Sequence, residues 1–324
     1  GGEYTYTVSL AAAKDPGYTI EGNGSYTVTS ADGLMNVAEL VNGGKTDINI
    51  TLDKNIDLTG KDWTPIGTSF DNSYTGTFDG GGHTITGLTI TTKDQFVGLF
   101  GYLNRAGTVK NVVMEGVQIT SNQIYGGSIG GVVGYSWGTI ENCSVSGSVS
   151  GTKCVGGVVG AQKAGSITGC SSSATVKGTV DVGGVAGQTN SSATLTACYA
   201  TGNVTLEIDP KKNIAGGGLV GMNAGISLLA CYATGNVTST GSSTGNVHIG
   251  GFLGDNYTTV TACYWKNNHE QGIGYNNKVT EATKVDGTDV TWQKAVATMN
   301  TALQNAGSEW RYELNGALPT LRKL

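Results

Sequence analysis

The segment Val155-Gly-Gly-Val-Val-Gly160 is the most informative part of the sequence, because close copies of it recur along the chain. The other copies are Val97-Gly-Leu-Phe-Gly101, Ile129-Gly-Gly-Val-Val-Gly134, Val182-Gly-Gly-Val-Ala-Gly187, Gly216-Gly-Gly-Leu-Val-Gly221 and Ile249-Gly-Gly-Phe-Leu-Gly254. Their closing glycines are 33, 26, 27, 34 and 33 residues apart. Recurrence at this period is typical of a solenoid, in which each repeat stacks on its neighbours.

Two further short segments follow each copy, and most of them alternate polar and apolar residues. Thr139-Ile-Glu-Asn-Cys143 and Ser144-Val-Ser-Gly-Ser-Val149 are examples. Because no helical segment lies between them, each repeat holds three short strands and forms one coil of a β-helix, paired in parallel with the next coil. The Gly-Gly pair fits a point where the backbone turns tightly or packs closely. We therefore predict an all-β fold, a right-handed parallel β-helix.

The two ends of a β-helix expose strand edges, so each end needs a cover. Residues 30–47 hold a short amphipathic helix, and residues 276–324 hold a second one, with apolar residues from Trp292 to Leu303 at helical spacing. We predict short α-helical caps at both ends and a last strand from residues 308–324 against the final coil. The predicted divisions are an N-terminal strand or extension at 1–29, a cap helix at 30–47, the β-helix at 48–275 and a C-terminal helical cap with a final strand at 276–324.

The repeated glycine motif also carries a resemblance. The Val-Gly-Gly-Val-Val-Gly copies resemble the GLUG motif of bacterial surface proteins, adhesins and the amino-terminal regions of some immunoglobulin A peptidases, over about residues 50–265. The segments Trp63-Thr-Pro-Ile-Gly67 and Tyr74-Thr-Gly-Thr-Phe-Asp-Gly80 are similar to the coils that precede such repeats. The resemblance implies the β-helix fold and a secreted or surface-displayed bacterial protein. It implies no catalytic residues, because a structural repeat and not a site defines the family.

Composition argues against several classes of partner. The formal net charge of −5 over 324 residues gives no electrostatic reason to bind nucleic acid or an anionic membrane. No stretch approaches the roughly 18 consecutive apolar residues of a membrane span. The sequence holds neither a signal peptide nor an anchor, so an extracellular or cell-surface location is inferred from the resemblance and from the Ser, Thr, Asn and Gly content. We expect a monomer.

Five of the six cysteines occupy one repeat position, directly after the second short segment of a coil. They should stack as an inward structural ladder of small apolar side chains, and a bridge between neighbours stays possible on spacing alone. Cys154 lies off this ladder, and the absence of a CxxC pair argues against zinc. We predict no metal and no cofactor. The ladder residues are Cys143, Cys170, Cys198, Cys231 and Cys263.

Tyr199, Tyr232 and Tyr264 each follow a ladder cysteine, and alternation places them outside if the cysteines are inside. One interpretation is a packing ladder of cross-strand aromatic contacts. The other is an exposed aromatic strip, extended by Trp265, on which sugar rings or a partner surface stack. These four residues are the predicted binding site.

Catalytic motifs are incomplete. Gly126-Gly-Ser-Ile-Gly130 and Gly216-Gly-Gly-Leu-Val-Gly221 match the nucleophile-elbow and dinucleotide patterns by letter but are copies of the repeat, and neither opens a helix. His269-Glu270 lacks the second histidine of a zinc-peptidase motif. The acidic residues are scattered over different coils, so no paired carboxylates indicate a glycosidase, and we predict no catalytic residues.

The sequence therefore favours a non-catalytic secreted or surface-displayed binding and adhesion module that contacts glycans or host and matrix proteins through one face of the β-helix. A structural stalk or spacer of a larger surface protein is the alternative. A polysaccharide lyase or glycoside hydrolase is a second alternative. A binder predicts an aromatic or apolar patch on one face, whereas a stalk predicts an evenly polar exterior.

Overall fold

The computed structural model describes residues 2–4, 7 and 11–324 of the chain. Residues 1, 5, 6 and 8–10 of the predicted N-terminal strand or extension at 1–29 fall outside the described residues. The remainder is a parallel β-solenoid of about seven turns, so the predicted all-β parallel β-helix is confirmed. Two helices and a small antiparallel hairpin accompany the solenoid, and an antiparallel pair, Tyr18–Ile20 with Tyr26–Val28, precedes its first parallel pairing.

Three sheets run along the solenoid. The first sheet turns through a corner within each coil and contains the strands Tyr18–Ile20, Tyr26–Val28, Ile50–Leu52, Thr77–Asp79, Phe100–Leu103, Thr108–Lys110, Val133–Ser136, Thr139–Glu141, Val159–Thr168, Ala186–Thr196, Val220–Asn223, Ser227–Leu229, Leu253–Asn256, Thr259–Thr261 and Ile273–Asn276.

The second sheet contains the strands Ile56–Asp57, Thr84–Thr86, Thr89–Thr92, Val113–Ser121, Ser144–Ser150, Ser171–Ser172, Thr175–Gly178, Tyr199–Ala200, Val204–Glu207, Tyr232–Ala233, Val237–Thr240, Tyr264–Trp265 and Thr283–Lys284. The third sheet contains Phe96–Val97, Ser128–Gly130, Lys153–Gly156, Val180–Gly183, Ile214–Gly217 and Val247–Gly250.

Parallel pairing brings equivalent residues of successive coils into rows, and the inward rows make the core. Burial of one such aliphatic side chain contributes about 1.5–3 kcal/mol, so a stacked row stabilises every coil it crosses. One inward row of the first sheet consists of Val109, Ile140, Ile167, Leu195, Leu228 and Val260, each at most 3% exposed.

The glycines of the repeat pack backbone against backbone. A Cβ on Gly160, which closes its motif, would overlap the backbone nitrogen of Ile129 in the preceding coil. A Cβ on Gly156, which opens the turn, would overlap the carbonyl oxygen of Val159. The motif is therefore glycine-rich because the third and first sheets meet at this corner with no space for a side chain.

The corner between the first and second sheets uses a left-handed backbone conformation in six successive coils. Asn111 and Asn142 adopt it with φ of 56° and 51°, and their carboxamides hydrogen-bond at 2.8 Å. Asparagine and glycine tolerate this conformation better than other residues do. The corner positions in chain order are Asn111, Asn142, Gly169, Ala197, Ala230 and Ala262.

The N-terminal helix, Ala31–Asn42, begins at the cap residue Ser30, whose hydroxyl oxygen accepts a hydrogen bond from the Gly33 backbone nitrogen. Its face of Leu34, Val37 and Val41 is buried against the core at the first coil. The helix thus lies where the sequence predicts a cap and covers the first coil.

The C-terminal helix, Trp292–Asn305, also forms where the sequence predicts it, but it lies along the side of the solenoid and not over its end. The last strands, Trp310–Glu313 and Thr320–Lys323, pair with each other as an antiparallel hairpin, so the predicted strand against the final coil is wrong. The hairpin reaches back far enough for Lys323 Nζ to contact Glu141 Oε1 at 2.7 Å. Small corner residues beneath it leave room for its buried aromatic side chains.

Candidate ligand-binding groove

The predicted tyrosine strip exists as a row but is not an exposed surface. Tyr199, Tyr232 and Tyr264 are in register and point away from the ladder cysteines, and the rings of Tyr199 and Tyr232 stack 4.9 Å apart. Tyr232 is completely buried and Tyr264 is 7% exposed, because the C-terminal helix and hairpin cover them. The Tyr232 hydroxyl donates to the Pro319 carbonyl. The prediction of an exposed strip is therefore wrong.

Trp265 is not part of an outer surface either. Alternation turns it inward, in the row of Ala200 and Ala233, and it is 3% exposed. Its indole packs on the backbones of Gly251 and Gly272 and fills the interior of the last coils. Its predicted role in binding is wrong, because a residue next to an outward tyrosine on a strand must face the core.

Tyr199 is half-buried, and it lines a depression of about 410 Å³ under the hairpin. Hydroxyl side chains line it, among them Ser146, Ser173 and Thr201, and Pro319 forms its outer wall. Residues 205–214 and 238–247, which are insertions relative to the shorter repeats, do not line this depression. They stack on each other instead, and the Thr244 nitrogen donates to the Pro210 carbonyl.

The five ladder cysteines lie at equivalent inward positions, and all six cysteines are buried free thiols. The backbone nitrogens of Cys198 and Cys231 approach the sulfur of the next ladder residue at 3.4 Å. Burial raises the pKa of the Cys198 and Cys231 thiols, which keeps these two protonated and unreactive. Cys154 lies elsewhere, in a groove on the outer surface.

This groove follows the repeated glycine motif. The residue before each motif and the residue after it both point outward, and the tight glycine corner brings the two resulting rows together. The leading row is Phe96, Ser128, Cys154, Asp181, Ala215 and His248. The trailing row is Tyr102, Tyr135, Ala161, Gln188, Met222, Asp255 and Tyr275.

An upper aromatic cluster occupies the first coils of the groove. The ring centroid of Phe96 lies 5.4 Å from that of Tyr102 and 5.0 Å from that of Tyr135. The centroids of Tyr102 and Tyr135 lie 4.9 Å apart. Phe70 packs edge-on against Tyr102 and is 70% exposed, while Tyr125 at the rim is 90% exposed. Together they border a depression of about 380 Å³. Phe96 and Tyr135 are half-buried, whereas Tyr102 is buried beneath them.

A central polar cluster follows. Lys163 Nζ lies 2.9 Å from Gln188 Oε1 and 2.9 Å from Asn190 Oδ1. The Cys154 thiol lies 3.5 Å from Gln188 Oε1 and 4.0 Å from Asp181 Oδ2.

Burial changes the protonation behaviour of the central polar cluster. It raises the pKa of Asp181 to about 6 and the pKa of Cys154 to about 12, and it lowers the pKa of Lys163. The Cys154 thiol therefore stays protonated at neutral pH and is a poor nucleophile.

A lower cluster closes the groove in the last coils. His248 Nδ1 lies 2.5 Å from Asp255 Oδ1, and the Tyr275 ring stacks on the imidazole at 5.1 Å. Tyr257 lies 5.9 Å from Tyr275, and both rings are about two-fifths exposed. Burial raises the pKa of Asp255 against the opposing effect of His248.

Sequence reasoning missed this groove although a signal was present. The residues that flank each glycine motif alternate with the buried valines, so their outward direction could be deduced from period two. What the pattern alone did not show is that the glycine corner is concave and brings Phe96 of one strand against Tyr135 of another.

The catalytic look-alikes are solenoid strands. Ser128 begins the strand Ser128–Gly130, and Gly216 belongs to Ile214–Gly217; a turn and another strand follow each. His269 Nε2 lies 2.8 Å from the Val237 carbonyl oxygen, whereas His248 contacts Asp255, so the two histidines have different partners. Within residues 2–4, 7 and 11–324, no three His, Cys, Asp or Glu side chains come together as metal ligands.

Comparisons with known proteins agree with the repeat. A family model, the GLUG motif, matches residues 125–150 and 151–177, so the resemblance seen in the sequence is confirmed. Halomucin of Haloquadratum walsbyi is 38% identical over 120 residues, which is 34% of this chain and 1% of halomucin. A protein of Evansella cellulosilytica described as a Gly-rich membrane protein is 33% identical over 129 residues, 37% of this chain and 14% of that protein. The chain therefore spans a small part of these relatives.

A solved structure shares the fold. A protein from Bacteroides ovatus, provisionally described as an immunoglobulin A1 protease, superposes with a TM-score of 0.69 over 95% of both chains at 19% identity. Identity this low shows the fold alone. In the part of the chain that the structure describes, no helix is long and apolar enough to cross a membrane.

Proposed function

We propose that the chain is a non-catalytic, surface-displayed module that binds an extended glycan in the groove. The observation that carries the proposal is the upper aromatic cluster, in which partly exposed rings line a concave surface beside hydrogen-bonding side chains. Of the ten exposed large apolar side chains in the described residues, four belong to the two aromatic ends of the groove: Phe70, Tyr125, Tyr257 and Tyr275.

Aromatic rings beside polar groups suit sugars. A pyranose ring has an apolar face that stacks on an aromatic ring and an equatorial belt of hydroxyls that needs hydrogen bonds. Tyr125 and Phe70 offer exposed faces, and Gln95, Lys153 and Gln188 offer polar groups in the same depression. These are the groups that a sugar-binding site requires.

The groove also suits a linear chain. Successive coils are ~4.8 Å apart, a length close to that of one pyranose residue. A polysaccharide lying along the groove would place successive rings against successive coils, from the upper aromatic cluster toward Tyr275. A solenoid thus provides a repeating surface for a repeating ligand.

Surface display is supported by the relatives. Halomucin and the Gly-rich membrane protein are similar to this chain over 120 and 129 residues, and the second is described as a membrane protein. The hydroxyl-rich strands of the solenoid are compatible with a protein outside the cell. A bacterial or archaeal surface protein would present the groove to external or neighbouring glycans.

The side chains of the groove favour binding over cleavage. Glycosidases need two carboxylates on either side of the scissile bond. Asp181 and Asp255 lie two coils apart, and Asp255 is engaged by His248. Elsewhere, Glu207 and Asp209 pair with Lys177 and Lys212 in separate surface ion pairs.

An immobilised array of neutral and acidic glycans tests the proposal, followed by calorimetric titration with soluble oligosaccharides of the series that binds. Tyr125→Ala and Phe70→Ala should weaken binding at least tenfold without loss of stability, since both side chains are largely exposed. Ile20→Ala, an exposed apolar residue in the first described strand, is the matched control and should change nothing. If no glycan binds, the stalk alternative replaces the proposal.

A further inference from the structure

Asp181 stands out among the acidic residues of the groove. It is 8% exposed, and among the residues that the structure describes its one side-chain hydrogen-bond partner is the Cys154 thiol, at 4.0 Å. A buried carboxylate without strong donors is costly, because it loses hydration and gains little in return. The groove therefore contains an acceptor that the protein itself leaves largely unused.

The backbone at this point is also unusual. Asp181 and its neighbour in the row, Cys154, adopt left-handed conformations with φ of 54° and 47°. The flanking pairs Lys153↔Val180 and Val155↔Val182 are in register, so these two side chains lie side by side in the wall of the groove. A non-glycine residue in this conformation costs about 1 kcal/mol or more, and such residues cluster at ligand sites.

Charged groups around Asp181 do not neutralise it by direct contact. Lys163 is held by Gln188 and Asn190 instead. Burial and Asp255 raise the pKa of the Asp181 carboxyl, Lys153 and Lys163 lower it from a distance, and His248 is paired with Asp255. The Cys154 thiol stays protonated, so it adds a weak donor but no charge.

Neighbouring positions give room for a ring to approach. The next residue of the leading row is Ala215, and the position across the corner in the coil of Cys154 is Ala161. The side chains at the rim are unbranched and flexible, with Lys163 linked to Gln188 and Gln188 Nε2 lying 3.8 Å from the Met222 sulfur. Small movements of such side chains would open the carboxylate to a ligand.

We infer that Asp181 determines the specificity of the groove: its carboxylate accepts hydrogen bonds from hydroxyls of a neutral sugar ring and disfavours sugars that carry a carboxylate. This inference rests on the proposed glycan binding. Hydroxyl donors would replace the lost hydration of the carboxylate, whereas a second carboxylate would add repulsion. The upper aromatic cluster would bind the polysaccharide by stacking, and Asp181 would favour neutral sugars over acidic ones.

The test compares wild type, Asp181→Asn and Tyr125→Ala by calorimetric titration at pH 7.5 with cellohexaose, mannohexaose, xylohexaose and hexagalacturonic acid. Wild type is expected to bind a neutral hexasaccharide and to reject hexagalacturonic acid. Asp181→Asn should bind that neutral sugar at least tenfold more weakly and reject hexagalacturonic acid less strongly. Tyr125→Ala should lose affinity for both classes without a change in their ratio.

Other outcomes would contradict either the role of Asp181 alone or glycan binding in the groove as well. If Asp181→Asn keeps wild-type affinity and selectivity while Tyr125→Ala loses binding, the role of Asp181 is wrong and the groove as a glycan site stands. If wild type binds none of the four sugars and no glycan on the array, both proposals fall. Unfolding is not a confounding outcome for Asp181→Asn, because an uncharged isostere at a buried site should fold at least as stably, as far-ultraviolet circular dichroism will show.

Discussion

Trp310 lies against Gly169 so closely that a Cβ on the glycine would overlap the indole ring. This contact marks where the C-terminal hairpin begins to cover the corner of the solenoid. Before it, the corner residues are Asn111 and Asn142, which form a hydrogen-bonded pair; after it, they are Ala197 and Ala230, both fully buried. The residue type at the corner thus follows what lies above it.

Replacing Gly169 with alanine should therefore be severe. The new methyl group would meet Trp310, and alanine would also be strained at φ of 65°. We expect a loss of about 2–4 kcal/mol in the free energy of unfolding, measured by urea denaturation. Gly116→Ala is the matched control, since Gly116 has φ of 64° and open space around it, and it should lose only about 1 kcal/mol. Equal losses in the two variants would contradict the role of the Trp310 contact.

Exchanging corner residues between covered and open coils should have unequal effects. Ala230→Asn places a carboxamide under the hairpin, where it has no water, and should cost about 1–3 kcal/mol. Asn142→Ala removes the 2.8 Å bond to Asn111 and should cost about 1 kcal/mol. Thermal and urea denaturation of the two variants measure this difference. If Ala230→Asn left the free energy of unfolding unchanged, burial under the hairpin would not explain why alanine occupies this corner position.

The hydroxyl of Tyr232 should hold the hairpin in place. Tyr232→Phe leaves the Pro319 carbonyl without its buried donor, which should cost about 1–3 kcal/mol and expose residues 314–319 to limited proteolysis. Tyr199→Phe, the next tyrosine of the row and only half-buried, serves as the control and should leave the proteolysis rate unchanged. Equal protection in wild type and Tyr232→Phe would show that apolar packing alone holds the hairpin.

Asp181 should make stability fall as pH rises from about 4 to about 6. Its pKa in the folded chain is about 6 against 3.8 ordinarily, so the folded state binds the proton more tightly and loses stability when the carboxyl ionises. The loss approaches about 3 kcal/mol, since each pKa unit corresponds to 1.36 kcal/mol.

The measurement for this pH effect is the difference in unfolding free energy between wild type and Asp181→Asn across pH 4 to 7. Taking this difference cancels the pH dependence that other carboxyls contribute to both proteins. Among these are Asp57 and Asp286, whose pKa values are lowered by hydrogen bonds from Thr59 and from Thr288. The two curves should converge near pH 4 and separate above it. Parallel curves would mean that Asp181 is solvated in the folded protein.

Much of the fold could be predicted from local sequence. The repeated glycine motif and the alternating strands are properties of single coils, and parallel stacking repeats one solution along the chain. The N-terminal helix was predictable for the same reason, since Ser30 and the apolar spacing of Leu34, Val37 and Val41 lie within one short segment. The aromatic groove was half predictable: the direction of Phe96 and Tyr135 follows from alternation, but their contact does not.

Which residues of each coil face in and which face out can be deduced from the amino-acid order, because strand alternation is a local property of the backbone. Which of the outward residues contact solvent depends on long-range packing. Tyr232 and Tyr135 both point outward, yet Tyr232 is buried by Pro319 and Tyr312 from the end of the chain, whereas Tyr135 stays in an open groove. The position at which a distant segment packs on the solenoid depends on the total burial of that segment's own aromatic residues. The residue pattern within one coil does not predict it.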